Sequence, residues 1–172
     1  LPAVKAVSSG AAMTAAVTTD GAVYTWGSDW GSNGFNQLGR GEAGMTDHTP
    51  GKVDLPPVST AAVGRFFYAG AIDETGALWQ WGSTGRDAKE TITRETDSAI
   101  PALLAKDAPF AQLVFGSGQS AGVTEDGRLY TWGWNSAGEL GSAADYYVAR
   151  PALAAVNAAR PAGVPFTGDL EN

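Results

Sequence analysis

The stretch Asp126-Gly127-Arg128-Leu129-Tyr130-Thr131-Trp132-Gly133 decides the fold, because the chain spells it three times. Its counterparts are Asp20-Gly21-Ala22-Val23-Tyr24-Thr25-Trp26-Gly27 and Thr75-Gly76-Ala77-Leu78-Trp79-Gln80-Trp81-Gly82. Trp26, Trp81 and Trp132 stand 55 and 51 residues apart. Working outward, a second glycine (Gly10, Gly64, Gly116) precedes each turn glycine (Gly21, Gly76, Gly127) by 11 or 12 residues, and a proline (Pro50, Pro101, Pro151) follows each block. Landmarks recurring in one order at a fixed period signal a repeat architecture.

Inside each block the pattern has period two. Val23 and Thr25 point one way while Tyr24 and Trp26 point the other, and the glycine after Asp or Thr supplies a tight turn. Each block therefore reads as the second arm of a hairpin whose first arm is 13–18, 67–73 or 120–124. A further apolar stretch precedes each hairpin, at 4–8, 59–63 and 110–115, and short extended pieces after the prolines, such as 51–54 and 102–104, supply a fourth strand. Four short strands per fifty-odd residues is the economy of a β-propeller blade, so the fold class is all-β, with three four-stranded antiparallel repeats. The repeats span approximately 1–50, 51–101 and 102–151; the start of a next one runs to 158, and 159–172 is a linker or terminal tail. Trp26, Trp81 and Trp132 are expected in the core, and Gly21, Gly76 and Gly127 in turns rather than in a phosphate loop.

Composition narrows function by exclusion. Eleven basic against eighteen acidic residues give a net charge of −7, which opposes phosphate neutralisation, so nucleic acid is not an expected partner. The absence of cysteine removes thiolate chemistry, and a single histidine, His48, argues against a histidine-rich zinc site. No apolar run approaches the roughly 18 residues that span a bilayer. Asp29, Asn33 and Gly34 fit the opening of a calcium loop, yet the twelfth position counted from Asp29 is Arg40 rather than a bidentate acid. Asp29, Asp47 and His48 lack an oriented nucleophile, so no catalytic residue, metal or cofactor is expected.

The unit from Gly118 to Gly141 resembles the repeat of the regulator of chromosome condensation family. Its hairpin turn Asp126-Gly127, its Tyr130-Thr131-Trp132-Gly133 strand and its Asn135-Ser136-Ala137-Gly138-Glu139-Leu140-Gly141 loop follow that family's pattern, with Glu139 for the usual Gln. The first repeat keeps Asn36-Gln37-Leu38-Gly39 after an extra Asp29-Trp30-Gly31-Ser32-Asn33-Gly34 stretch, and the second has lost the loop signature. A histidine common in the family is absent, with Ala12, Phe66 and Gln119 near its place, which marks a divergent member. The pairs Trp79/Trp81 and Trp132/Trp134 invite comparison with the plant ultraviolet photoreceptors of this fold, but their Gly-Trp-Arg-His-Thr motif is missing.

The resemblance implies a ring of about seven blades, of which this chain supplies three. Three arrangements meet the need to cover open blade edges: a piece of a longer propeller, a pairing of copies into a ring, or an arc capped by another protein. The resemblance also implies a protein-interaction module. The segments between Trp-Gly and the next proline, 28–49, 83–100 and 134–150, leave the same strand in each repeat and so share one face. Trp30, Phe35, Trp134, Tyr146 and Tyr147 are the aromatic anchors expected to touch a partner there. The alternative is a structural subunit whose main partner is a further copy of itself. The acidic, cysteine-free, Ala- and Thr-rich composition leans towards a bacterial secreted or envelope protein.

Overall fold

Each hairpin turn is built by a threonine and an aspartate two residues apart. Thr18 donates its hydroxyl to Asp20 and Thr124 donates to Asp126, while Gly21 and Gly127 follow at φ +81° and +80°, where a side chain would be strained. In the middle repeat the two letters are exchanged. Thr75 donates its amide and its hydroxyl to Asp73 Oδ1, at 2.8 and 2.6 Å, and Gly76 takes φ +82°.

These turns sit in a computed structural model that describes residues 1–29, 36–41, 46–65, 67–83, 98–143 and 146–154. Strands β1 (Val4–Ser9), β2 (Met13–Thr18), β3 (Val23–Ser28) and β4 (Thr46–Lys52) form the first sheet in chain order. Strands β5 (Val58–Val63), β6 (Tyr68–Asp73), β7 (Leu78–Gly82) and β8 (Ser98–Ala105) form the second. The third comprises β9 (Phe110–Phe115), β10 (Gln119–Thr124), β11 (Leu129–Trp134) and β12 (Tyr147–Leu153). All neighbours are antiparallel, so each sheet is a four-stranded meander, the form of a propeller blade.

The fourth strand starts four or five residues earlier than the expected pieces, and the prolines lie inside it. Pro50, Pro101 and Pro151 are tolerated because the outermost strand pairs on one side only, so a missing N–H breaks no ladder. The register slips at the same place in each blade, between Thr25 and Gly27, Gln80 and Gly82, and Thr131 and Gly133.

The core lies between blades rather than within them, as it must when each layer is a single sheet. Met13, Ala15, Val17 and Leu38 of blade 1 meet Val58, Val63, Ala69 and Trp81 of blade 2. Ile72, Leu78 and Leu104 of blade 2 meet Phe110, Leu113 and Trp132 of blade 3. Blades 1 and 2 approach closely at Gly10: a Cβ there would lie 2.2 Å from the Gly64 carbonyl oxygen. Ala11 N donates to Arg65 O and Arg65 N to Gly116 O, both at 3.0 Å, while Val58 N and Phe110 N donate to Gly21 O and Gly76 O of the preceding blade's turn, both at 2.9 Å.

The repeated tryptophans are the joints of this stack. Trp81 Nε1 donates to Gln37 O at 2.9 Å and Trp132 Nε1 to Gln80 Oε1 at 3.0 Å; both rings are fully buried against the preceding blade. Trp26 departs from the expectation that all three are core. It is half-buried, because among the described residues no blade precedes it.

Candidate functional site

The segments that follow Trp-Gly turn away sharply at a glycine. Gly133 has φ +99°, and a Cβ there would lie 2.2 Å from Gly118 O; Gly27 and Gly82 face the equivalent carbonyls of Ala12 and Phe67. In the third loop, Asn135 Oδ1 accepts the Leu140 amide (3.0 Å), Asn135 Nδ2 donates to Ser142 O (3.3 Å), and Thr131 Oγ1 donates to Leu140 O (2.9 Å). Leu140 is thereby held as a buried plug over its own blade. Glu139 points outward and accepts the Ala137 amide (2.8 Å) and the Ser136 hydroxyl (3.1 Å); that amide, first among its partners, holds the carboxyl below its ordinary value.

The first loop reproduces this device with different letters. Leu38 N donates to Asp29 Oδ1 (2.9 Å) and Thr25 Oγ1 to Leu38 O (2.7 Å), so Asp29, three residues after the tryptophan, does the work of Asn135. Asn36, which in the sequence seemed to keep the motif's end, instead takes a left-handed turn at φ +46°. Asp29 is thus a buried structural acceptor. Asp47 accepts the Thr49 amide and pairs with Arg40, both at 2.9 Å, and these two contacts, the amide first, lower its pKa. His48 is exposed beside them.

Beyond the third loop stands an aromatic platform. Trp134 at the end of β11 is opposite Tyr147 at the start of β12, with ring centroids 6.1 Å apart, and Tyr146 packs edge-on against the same indole at 5.0 Å. Gly118 lies beneath: a Cβ there would be 2.6 Å from the indole. Trp134 and Tyr147 are half-buried, whereas Tyr146 is 61% exposed. The structure therefore gathers three of the five expected contact residues. Trp30, Phe35, most of the middle loop and the tail 159–172 lie outside the described residues.

Two residues that matter at the joints escaped sequence reasoning. Gln80 occupies the position of Thr25 and Thr131, and its side chain supplies the acceptor that a loop carbonyl supplies to Trp81. The signal was present: a longer polar residue at that position in the one repeat whose loop signature is lost. Tyr68, at the position of Met13 and Gln119, reaches into blade 3 and donates its hydroxyl to Gln119 O (2.9 Å) and Gly116 O (3.1 Å), and burial pushes its phenol up to about 12.

Among the described residues, twelve strands in three four-stranded blades, joined by buried tryptophans, define a β-propeller repeat protein. The model of the Regulator of chromosome condensation (RCC1) repeat matches residues 4–29 and 110–139, the first three strands of the first and third blades, and passes over the middle blade. The Ultraviolet-B receptor UVR8 of Arabidopsis thaliana is 31% identical over 80% of this chain and 31% of its own length. Human WBSCR16 superposes with a TM-score of 0.70 at 21% identity, covering 87% of this chain and 39% of that one. Prp20p of Saccharomyces cerevisiae gives 0.67 at 23%, covering 87% and 38%. The repeats of this chain are of the RCC1 type, and the chain spans about a third of the length of these relatives.

Proposed function

We propose that the chain is a protein-interaction module that holds a protein partner on the face formed by the loops after the Trp-Gly strands. The observation that carries this reading is the platform of Trp134, Tyr146 and Tyr147. An exposed phenol braced edge-on by an indole is rigid, amphipathic area, which is what interface anchors are made of. Prp20p, of the same fold, was solved together with its binding properties towards Gsp1p and histones, which supports binding as the use of such a scaffold. The carboxylates nearest to a catalytic reading have other work: Asp29 holds the Leu38 amide and Asp47 holds Arg40. The reading is of a binder, not a catalyst.

Affinity capture from native extract tests this with the wild-type chain and the Trp134→Ala/Tyr146→Ala double variant. A protein retained by the wild type is expected to fall at least about tenfold in recovery with the variant, whose unfolding curve stays close to wild type. Equal recovery by both would sink the proposed face.

A further inference from the structure

Blade 3 carries an aromatic group that the blade fold does not require. The chain leaves the third strand of each blade through one equivalent bond: Ser28 N donates to Ala12 O and Ser83 N to Phe67 O, both at 2.7 Å, and Trp134 N donates to Gly118 O at 3.0 Å. Trp134 therefore stands where the other blades have serine. Gly118 stands where they have Ala12 and Phe67, and since a Cβ there would lie 2.6 Å from the indole, the glycine and the ring go together. Tyr147 faces Trp134 across the strands as Thr46 faces Ser28. Blade 1 forms the same four-stranded sheet with none of these three residues. Tyr146 completes the group, and its backbone is fixed because its carbonyl accepts Asn135 N at 2.9 Å.

This corner of a blade stays open when another blade follows. Blade 2 packs on blade 1, yet Thr46 and His48 at the start of the outermost strand of blade 1 are exposed. The exposure of Tyr146, at the same strand start in blade 3, thus belongs to the rim of a blade.

The chemistry of the corner selects a cation. Tyr146 and Tyr147 stand nearly perpendicular to the indole, at 82° and 76°, and aromatic faces carry negative potential that attracts positive charge. The nearby charges have the same sign, since Glu139 and Asp145 are the only charged residues between Gly133 and Ala149. The basic residues of the blade are placed elsewhere. Arg128 pairs with Asp126 at the opposite turn (3.1 Å), Arg150 Nη1 donates to Leu104 O of blade 2 (3.1 Å), and Lys106 follows the end of β8 that pairs beside that same turn end.

We propose, building on the reading of this platform as a contact face, that it takes a cationic side chain, arginine or lysine, which the protein partner presents to the faces of the phenol and indole rings. The negative charge of the surrounding segment draws the cation there. NMR titration of the isotope-labelled full chain tests this with two capped peptides, Gly-Gly-Arg-Gly-Gly and Gly-Gly-Lys-Gly-Gly, and their uncharged counterparts carrying citrulline and acetyl-lysine. The Trp134 Nε1 proton and the amides of Tyr146 and Tyr147 are expected to shift with the charged peptides, and the uncharged ones to bind at least about fivefold more weakly. Tyr146→Ala, which removes a mostly exposed ring, is expected to weaken the charged peptides by a similar factor. Equal binding of charged and uncharged peptides would overturn the cation while leaving the platform as a contact face. Charged peptides that leave the platform unshifted, or shift only the opposite turns around Asp20, Glu74 and Glu125, would overturn it as well, the latter as general attraction to an acidic chain. The contact face itself fails by a separate result, unchanged partner recovery in the affinity capture.

Discussion

Asp73, Thr75 and Trp79 show how the repeat tolerates change at the scale of single residues. Blades 1 and 3 place Thr then Asp around the turn, with Tyr24 and Tyr130 on the following strand; blade 2 places Asp then Thr, with Trp79. The exchange is explained by the indole, which donates to Asp73 Oδ2 at 2.8 Å, a bond that the tyrosines at this position do not make. Burial alone would raise the Asp73 carboxyl, but hydrogen bonds from Thr75 and Trp79 and from the backbone outweigh it and leave it below its ordinary value. A carboxyl depressed by folding contributes stability that is present above its unfolded pKa and is lost as pH falls through its folded one. Asp73→Asn is therefore expected to flatten the loss of stability below the ordinary carboxylate range, read from urea unfolding as a function of pH. Converting all three positions to the other blades' letters (Asp73→Thr, Thr75→Asp, Trp79→Tyr) should cost less than the sum of the single changes, since each single change strands a partner. Tyr68 behaves oppositely. Its phenol is raised from 10.0 to about 12, so its contribution is complete below pH 10 and is lost as pH climbs through 12. Tyr68→Phe should cost about 1–2 kcal/mol at neutral pH and remove that alkaline decline.

At the scale of elements, the Trp-to-loop joint explains why equivalent residues carry unequal weight. Gly39 and Gly141 both have left-handed backbones, at φ +71° and +63°, so alanine strains each by about 1–2 kcal/mol. Only Gly39 also touches an indole. Gly39→Ala should destabilise clearly more than Gly141→Ala by chemical denaturation. Equal losses would contradict the joint. The blade itself was legible: turn glycine, alternating strand and Trp-Gly recur often enough that four strands per repeat follow from period two and spacing alone. The fourth strand was read too short because proline was taken as its boundary, whereas an outermost strand accommodates one. The structural role of Asp29 went unread because its partner, the Leu38 amide, lies nine residues away across an insertion, and a role defined by such a contact leaves no local pattern. Gln80 was missed for the same reason, its partner being 52 residues on in the next blade.

For the molecule as a whole, the consequence is that stability is a sum over joints rather than the property of one centre. Trp134, Tyr146 and Tyr147 could be read as aromatics of one loop segment, but their edge-on packing could not, since ring geometry depends on the β11–β12 register. Trp26 was assigned to the core because sequence makes three repeats look alike; burial depends on what stands in front of each. That difference between identical letters is the account's central claim, and hydrogen exchange of the indole protons tests it most directly. Measured by NMR, the Nε1 protons of Trp81 and Trp132 should exchange only through global unfolding, while that of the half-buried Trp26 exchanges far faster. Protection of Trp26 equal to the other two, or rapid exchange of Trp81 and Trp132, would contradict the claim that these tryptophans are joints between blades.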